Sequence, residues 1–270
     1  MSGDPTACST CPAAKLANLQ RLGVKMDKWD YVVALAGNPN TGKSTVFNAL
    51  TGLRQHTGNW PGKTVARAEG GFSFAEKRFK VVDLPGTYSL MSASPDEEVA
   101  RDFILFGQPD VTIVVVDATR LERNLNLVLQ VLQTTDKVVV CLNLMDEARA
   151  HGLKVDDKGL SRDLGVPVVP TAARQGQGID RLLRELADVA AGTIVCRPRR
   201  LRVDVPGLRE AVGKMSTLLH QVFPKAPHAE WISLRLLEGD PRIVEAVTSG
   251  ALGQLSDDHA GAVMNAAMGT

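Results

Sequence analysis

The sequence predicts an α/β protein in which a mostly parallel, doubly wound sheet of six strands, with one antiparallel edge strand, precedes a small all-helical subdomain. Two observations predict this architecture. Short apolar runs rich in β-branched residues alternate with helical patterns up to residue 190, which is typical of a parallel sheet with helices on both faces. After the joint at residues 197–200 the strand signals stop, and only helical patterns follow.

The buried strands are predicted from apolar runs at residues 31–36, 79–82, 111–116, 138–142 and 166–169. Helical patterns lie near residues 97–106, 124–133 and 179–190, and in the second subdomain at 206–222, 229–237 and 240–248. Residues 64–74 alternate between apolar and polar and contain Gly70-Gly71. We therefore expect an exposed hairpin at the edge of the sheet.

Composition excludes several classes of protein. The 270 residues include 31 Lys+Arg and 30 Asp+Glu, and the net charge of +1 gives no general attraction to nucleic acid or anionic lipid. No run approaches the roughly 20 apolar residues of a membrane helix, and the N-terminus lacks the pattern of a secretory signal. We expect a cytosolic chain with reduced cysteines and no nucleic-acid partner.

A glycine-rich loop between the first strand and the next helix matches the pattern G-x-x-x-x-G-K-S at every fixed position. Its backbone N–H groups and the helix N-terminus can surround phosphates, Lys43 can place a positive charge on the β and γ phosphates, and the Ser44 hydroxyl can reach Mg²⁺. The residues expected to bind nucleotide here are Gly37, Asn38, Pro39, Asn40, Thr41, Gly42, Lys43, Ser44 and Thr45.

A second element, Asp-Leu-Pro-Gly at residues 83–86, follows the strand at 79–82. Ligands of open α/β sheets collect at the carboxyl ends of the strands, so Asp83 is expected to support Mg²⁺ through water. Gly86 lacks a Cβ, so its N–H can approach a γ phosphate closely. The segment can therefore change conformation when that phosphate is lost.

Base recognition is predicted at the ends of two later strands. Asn143 and Asp146 follow the strand at 138–142, and Asp146 can accept hydrogen bonds from N1–H and the exocyclic amine of guanine. Ala172 and Ala173 follow the next strand, and the Ala173 N–H is expected to donate to guanine O6. In this order, the elements predict a P-loop GTPase fold that binds GTP or GDP.

Over residues 31–192 the order of the elements resembles the translation-factor-related GTPase class. Over residues 31–255 the sequence resembles the cytosolic N-terminal region of FeoB, the bacterial ferrous iron transport protein B family. The most specific strings are Gly-Asn-Trp-Pro-Gly at 58–62, followed by Thr64, and Leu-Leu-Glu-Gly-Asp at 236–240. The domains implied by this resemblance are an N-terminal extension at 1–30, a G domain at 31–197, a helical GDI-like subdomain at 198–255 and a tail or linker at 256–270.

The resemblance also implies how the loop after Gly58 works. Thr64 would bind Mg²⁺ and sense the γ phosphate, and Asn40 would hold K⁺ together with the Gly58 and Trp60 carbonyls. A monovalent cation there can neutralise charge that an arginine finger neutralises elsewhere. Two plainer interpretations stay open: Asn40 as a loop residue that binds backbone, and Trp60 as an aromatic cover over apolar surface.

The expected reaction is slow hydrolysis of GTP to GDP and phosphate. Thr87 stands where many small GTPases have a glutamine that orients the attacking water, so intrinsic turnover should be slow. Leu144 replaces the usual lysine of the base-binding motif, so we expect moderate GDP affinity and fairly fast release. The residues expected to carry the reaction are Lys43, Asn40, Thr64 and Gly86.

The resemblance places the module at the cytoplasmic face of the bacterial inner membrane, where it would regulate ferrous iron uptake by a C-terminal membrane permease domain. A homo-oligomer stays open. The alternative of a stand-alone ribosome- or tRNA-associated GTPase would need an RNA-binding domain and a basic face, which the near-neutral charge does not favour. A docking module that switches shape and barely hydrolyses GTP is the third hypothesis.

Three groups of residues receive no assigned role from the sequence. Cys8 and Cys11 form a lone C-x-x-C, which is half of a zinc site, a redox pair or part of a frayed terminus. His220 and His228 are iron ligands or ordinary helix residues. The arginines within 197–202 contact anionic lipid or lie in a solvated joint.

Overall fold

The computed structural model describes residues 16, 18–20, 22–26, 28–52, 55–91, 94–200, 205–224, 226 and 228–249. Cys8, Cys11, Arg202 and the predicted tail at 256–270 lie outside the described residues. Within the described ranges, none of the helices has both the length and the apolar character needed to cross a bilayer.

Seven strands form a single sheet in the part of the chain that the structure describes. They are β1 Tyr31–Gly37, β2 Gln55–Asn59, β3 Ala66–Phe74, β4 Lys77–Asp83, β5 Val111–Asp117, β6 Val138–Asn143 and β7 Val168–Pro170. Their order is β2-β3-β4-β1-β5-β6-β7, and β3 is antiparallel to both its neighbours while the other pairs are parallel. The fold class is as predicted, but the sheet has seven strands rather than six. The antiparallel strand lies beside the edge strand instead of forming the edge.

The helices alternate with the strands and then continue alone. They are α1 Lys43–Thr51, α2 Pro95–Gly107, α3 Leu121–Thr134, α4 Met145–Ala150, α5 Asp157–Leu164, α6 Ile179–Ala190, α7 Leu208–Val222, α8 Ala229–Leu237 and α9 Pro241–Thr248. The sequence patterns predict neither α4 nor α5.

The central strands are buried on both faces, as their nearly continuous apolar sequences require. Val33 and Leu35 of β1 pack in one core cluster with residues of α1 and α6. Val32 and Ala34 point to the opposite face and are equally inaccessible to solvent. Both faces of the parallel strands are therefore covered, and the carboxyl ends of the strands remain free to form a site.

The chain divides into two compact units. The larger consists of Met26–Ile104 and Gln108–Leu201 and contains the whole sheet. The smaller unit consists of the described residues within Met1–Lys25, Leu105–Gly107 and Arg202–Thr270. An apolar cluster from the end of α2 and from α7 to α9 forms the core of the smaller unit.

Candidate nucleotide-binding site

The phosphate loop joins the end of β1 at Gly37 to the start of α1 at Lys43. Gly42 precedes the helix with φ 78°, a left-handed conformation that favours glycine. The Thr41 hydroxyl donates to the Asn38 carbonyl at 2.9 Å and so closes the loop on itself. This geometry leaves the N-terminus of α1 directed at the loop, which is the arrangement that binds phosphate in other proteins.

Lys43 and Asp83 meet at this end of the sheet. Asp83 ends β4, which pairs in parallel with β1, and Lys43 Nζ donates to Asp83 Oδ1. Burial raises the pKa of the Asp83 carboxyl, and the charge of the Lys43 ammonium group opposes that rise. The structure therefore places a cation and a carboxylate side by side at the phosphate loop.

Asn143 connects three loops through one buried side-chain amide. Its Nδ2 donates to the Thr41 carbonyl in the phosphate loop at 3.0 Å. Its Oδ1 accepts from the Ala173 N–H at 3.1 Å and from the Thr171 hydroxyl at 3.2 Å. The side chain is only 1% exposed, so the phosphate loop and the two predicted base-binding segments are held in a fixed relation.

Asp146 lies in the first turn of α4, where its carboxylate accepts a hydrogen bond from Gln175 Nε2 at 3.0 Å. Gln175 ends the short 3₁₀ turn Ala173–Gln175, so Asp146 and the predicted base-binding segment after β7 are neighbours. The Ala173 N–H, which the sequence assigns to guanine O6, donates to Asn143 here. Ala172 is buried beside it.

The segment after β4 packs against the phosphate loop. The Thr87 N–H donates to the Gly37 carbonyl at 3.2 Å, and the Thr87 hydroxyl donates to the Ser89 carbonyl at 2.7 Å. A Cβ added to Gly86 would lie 3.5 Å from Pro39, which is an ordinary contact. Space alone therefore does not demand glycine at position 86 in this structure.

The predicted switch loop, residues 58–64, contacts β3 and α2. Gly58 lies in β2, paired with Arg67 of β3, and Thr64 is exposed without a side-chain hydrogen bond to any described residue. Trp60 is 4% exposed and packs edge-on against Phe103 of α2, with ring centroids 5.5 Å apart. In this arrangement Trp60 covers apolar surface, which is the plainer of the two sequence interpretations.

Two residues at the site do not emerge from sequence reasoning. Thr171 holds Asn143 and Gln175 holds Asp146, in each case through a side-chain hydrogen bond. Both lie within five residues of the end of the parallel strand β7, and that position is the signal that could have indicated them.

A family model described as "Ferrous iron transport protein B" matches residues 31–186. The chain belongs to the ferrous iron transport protein B family. It is 42% identical over 212 residues to the "Fe(2+) transporter FeoB" of Salmonella choleraesuis (strain SC-B67), a match that covers 77% of this chain and 27% of that protein. The chain thus spans about a quarter of the length of the curated relatives it matches.

Solved structures of this family share the fold. The cytosolic domain of T. maritima FeoB in its apo form superposes with a TM-score of 0.73 at 36% identity, covering 83% of this chain and 86% of that one. Its GDP form I gives a TM-score of 0.72 at 35% identity, covering 83% and 85%. The predicted family and the predicted fold class are both confirmed.

Proposed function

We propose that this chain is the G-protein module of a bacterial ferrous iron transporter, and that it binds GTP and GDP and hydrolyses GTP slowly with stimulation by K⁺. The single observation that carries the proposal is the Asn143 amide, which ties the phosphate loop to the segment that would read the base. A glycine-rich loop that only formed a turn between β1 and α1 would not need hydrogen bonds to the segments at the ends of β6 and β7.

The phosphate end of the site would form around the N-terminus of α1. Lys43 would turn from Asp83 toward the β and γ phosphates, and loop N–H groups would surround them. The oxygen donors of Ser44, Asp83 and Thr64 suit Mg²⁺, which prefers hydroxyl, carboxylate and water ligands. Bound there, Mg²⁺ would neutralise charge between the phosphates. The residues proposed for the phosphates are those from Gly37 to Thr45.

The base end of the site would select guanine. Asp146 would accept from N1–H and the exocyclic amine, with Asn143, Ala172 and Ala173 completing the pocket. A wrong base leaves the Asp146 carboxylate without these two donors, which favours GTP over ATP by on the order of 10⁴. The GDP form of the T. maritima relative supports guanine nucleotide as the ligand.

Slow intrinsic hydrolysis follows from the segment after Gly86. The Thr87 side chain is 4% exposed and donates to the Ser89 carbonyl, so it does not offer a group to orient water. A K⁺ ion held by Asn40 and by the Gly58 and Trp60 carbonyls would supply positive charge instead.

The role of the whole transporter is a further part of the proposal. The FeoB relatives are named Fe(2+) transporters and are about four times as long as the stretch matched here. We propose that this module works with a membrane permease domain at the cytoplasmic face of the inner membrane. The proposed domains are an extension at 1–30, the G domain at 31–197, the helical subdomain at 198–255 and a linker at 256–270.

Single-turnover hydrolysis of GTP in K⁺ and in Na⁺ tests this function. We expect K⁺ to raise the wild-type rate at least about tenfold over Na⁺. Asn40→Gly removes the amide but tolerates the left-handed φ of 65° at this position, so it should abolish the K⁺ preference. Equal wild-type rates in the two salts would reject the K⁺ site, and an absence of turnover in both would favour a docking module.

A further inference from the structure

The carboxylate proposed to read the base receives a hydrogen bond from a glutamine on another loop. Gln175 Nε2 donates to Asp146 Oδ2 at 3.0 Å. Asp146 lies in the first turn of α4, and Gln175 ends the 3₁₀ turn after β7, so the bond joins the segments that follow two neighbouring strands. Neither the phosphate contacts nor the base contacts proposed for this chain include Gln175.

A second glutamine fixes the direction in which the Gln175 amide points. Gln177 Nε2 donates to Gln175 Oε1 at 2.9 Å. A glutamine amide has one oxygen that accepts and one nitrogen that donates, so this bond turns the Gln175 nitrogen toward Asp146. With the oxygen and nitrogen of Gln175 exchanged, donor would face donor and acceptor would face acceptor. The three side chains therefore form a relay with one consistent orientation.

The backbone that carries the two glutamines is closed on itself. The Ala172 N–H donates to the Gln177 carbonyl at 3.0 Å, and the Gln177 N–H donates to the Ala172 carbonyl at 3.2 Å. Gly176 lies inside this closed segment with φ 70°, a left-handed conformation that favours glycine. Ala172 and Ala173 are 3% and 6% exposed. The exposed glutamine side chains thus extend from a backbone that is anchored in the protein.

The other residues of the base-binding segment do not supply this donor. The side chains of Ala172 and Ala173 are methyl groups, which cannot donate a hydrogen bond. Arg174 is exposed, and the structure shows no ion pair between its guanidinium group and Asp146. Gln175 is therefore the residue of this 3₁₀ turn whose side chain holds Asp146.

We infer that Gln175 is a positioning residue for base recognition and that Gln177 orients it. The inference rests on the proposed reading of guanine by Asp146. Guanine presents N1–H and the exocyclic amine side by side, so both carboxylate oxygens must lie close to the plane of the base to accept from them. An aspartate carboxylate rotates readily about χ2, and the bond from Gln175 restricts this rotation before the base arrives.

Asp146 can keep the bond from Gln175 when the base binds. Each carboxylate oxygen can accept two hydrogen bonds, so Oδ2 can accept from Gln175 and from guanine together. Gln175 would then act through Asp146 without touching the base. Its effect should be largest for a base that needs both carboxylate oxygens, and smaller for hypoxanthine, which has N1–H but no exocyclic amine.

Equilibrium binding of fluorescent GDP, with inosine diphosphate as competitor, tests this role. Gln175→Met keeps the length of the side chain and removes its donor. We expect it to weaken GDP binding about fivefold and inosine diphosphate binding less than about twofold, so that the preference for GDP falls. The matched control is Gln221→Met at an exposed glutamine of α7 in the smaller unit, which should leave both affinities unchanged. An unchanged preference for GDP in Gln175→Met would overturn the inference.

A double-mutant cycle shows whether Gln175 acts through Asp146. In an Asp146→Ala background, Gln175→Met should leave the GDP affinity unchanged, because the carboxylate that Gln175 holds is gone. A loss of GDP affinity as large as in the wild-type background would show that Gln175 stabilises the segment in another way, and would also overturn the inference.

The wild type separates this inference from the proposed function. If the wild type prefers GDP over inosine diphosphate and Gln175→Met keeps that preference, only the role of Gln175 is rejected. A wild type that does not bind GDP, or that binds both nucleotides equally, would reject base reading by Asp146 and the inference together with it.

Discussion

At the scale of single residues, Asn143 contributes most to the geometry of the site. One amide group satisfies the Thr41 carbonyl, the Ala173 N–H and the Thr171 hydroxyl, and the side chain is almost fully buried. Buried networks of this kind are rigid when every member is satisfied, and they lose that rigidity when one partner is displaced. The site should therefore be sensitive to small changes next to Asn143.

Gly42→Ala tests this sensitivity. A Cβ at Gly42 would lie 2.4 Å from Asn143 Nδ2, and the φ of 78° adds strain. We expect GDP affinity, measured by fluorescence titration, to fall at least about tenfold. The control is Gly52→Ala at the end of α1, where φ is 61° but no atom lies within 4 Å of the added Cβ. Equal GDP affinities in the two variants would contradict the role of Asn143.

Sequence reasoning assigns Lys43 and Asp83 to the same end of the sheet, and in the structure the two side chains are in contact because β1 and β4 are neighbouring parallel strands. It does not find that Ala173 donates to Asn143 or that Trp60 packs on Phe103. These contacts join segments at least 30 residues apart through side chains, and no local pattern encodes such a pairing.

At the scale of elements, the end of α5 connects the sheet to the arginine-rich joint. Gly165 follows the last residue of α5, and its carbonyl accepts from the Arg197 N–H at 2.9 Å. Arg200 donates from Nε to the Leu132 carbonyl at 2.9 Å and pairs with Asp136. The described part of the joint is therefore bound to the larger unit by backbone and side chain, which gives Arg200 a structural role.

Gly165→Ala should loosen this connection. Its φ is 74°, and an added Cβ would lie 2.0 Å from the Arg197 carbonyl oxygen, so the backbone must move. We expect the free energy of unfolding, measured by urea denaturation, to fall by about 3 kcal/mol.

The matched control for this change is Gly152→Ala. Gly152 has a similar φ of 70° but open space around the added Cβ, so only the cost of the left-handed backbone remains, about 1 kcal/mol. If both variants lost the same stability, the contact between Gly165 and the joint would have no energetic importance.

The elements that the sequence does not reveal are short and polar. β2 has the sequence QHTGN, and α5 has the sequence DKGLSRDL, so neither carries the apolar period that identifies strands and helices. β2 is a strand because β3 offers an edge for pairing. α5 starts at an Asp156 side chain that accepts from the Gly159 N–H at 2.8 Å. Tertiary pairing with β3 makes β2 a strand, and the Asp156 cap fixes the start of α5. The hydrophobic pattern identifies neither element.

At the scale of the whole molecule, the sheet and the helical unit each have a core of their own. The Leu-Leu-Glu-Gly-Asp string that indicates the family has a structural explanation in the helical unit. Gly239 follows the end of α8, and the Asp240 side chain caps α9 by accepting from the Arg242 and Ile243 N–H groups at 3.0 and 3.2 Å. A stop and a start signal in five residues fix the turn between α8 and α9.

The central claim for the molecule is that its phosphate loop and Asp146 together bind guanine nucleotide with Mg²⁺. The most direct measurement is equilibrium binding of fluorescent GTP, ATP and xanthosine triphosphate to the wild type and to Asp146→Asn. The wild type should prefer GTP over ATP by on the order of 10⁴, and the variant should lose GTP and gain xanthosine triphosphate, whose 2-oxo group accepts a hydrogen bond. Failure of the wild type to bind GTP with Mg²⁺ present, or an unchanged GTP preference in the variant, would contradict this account.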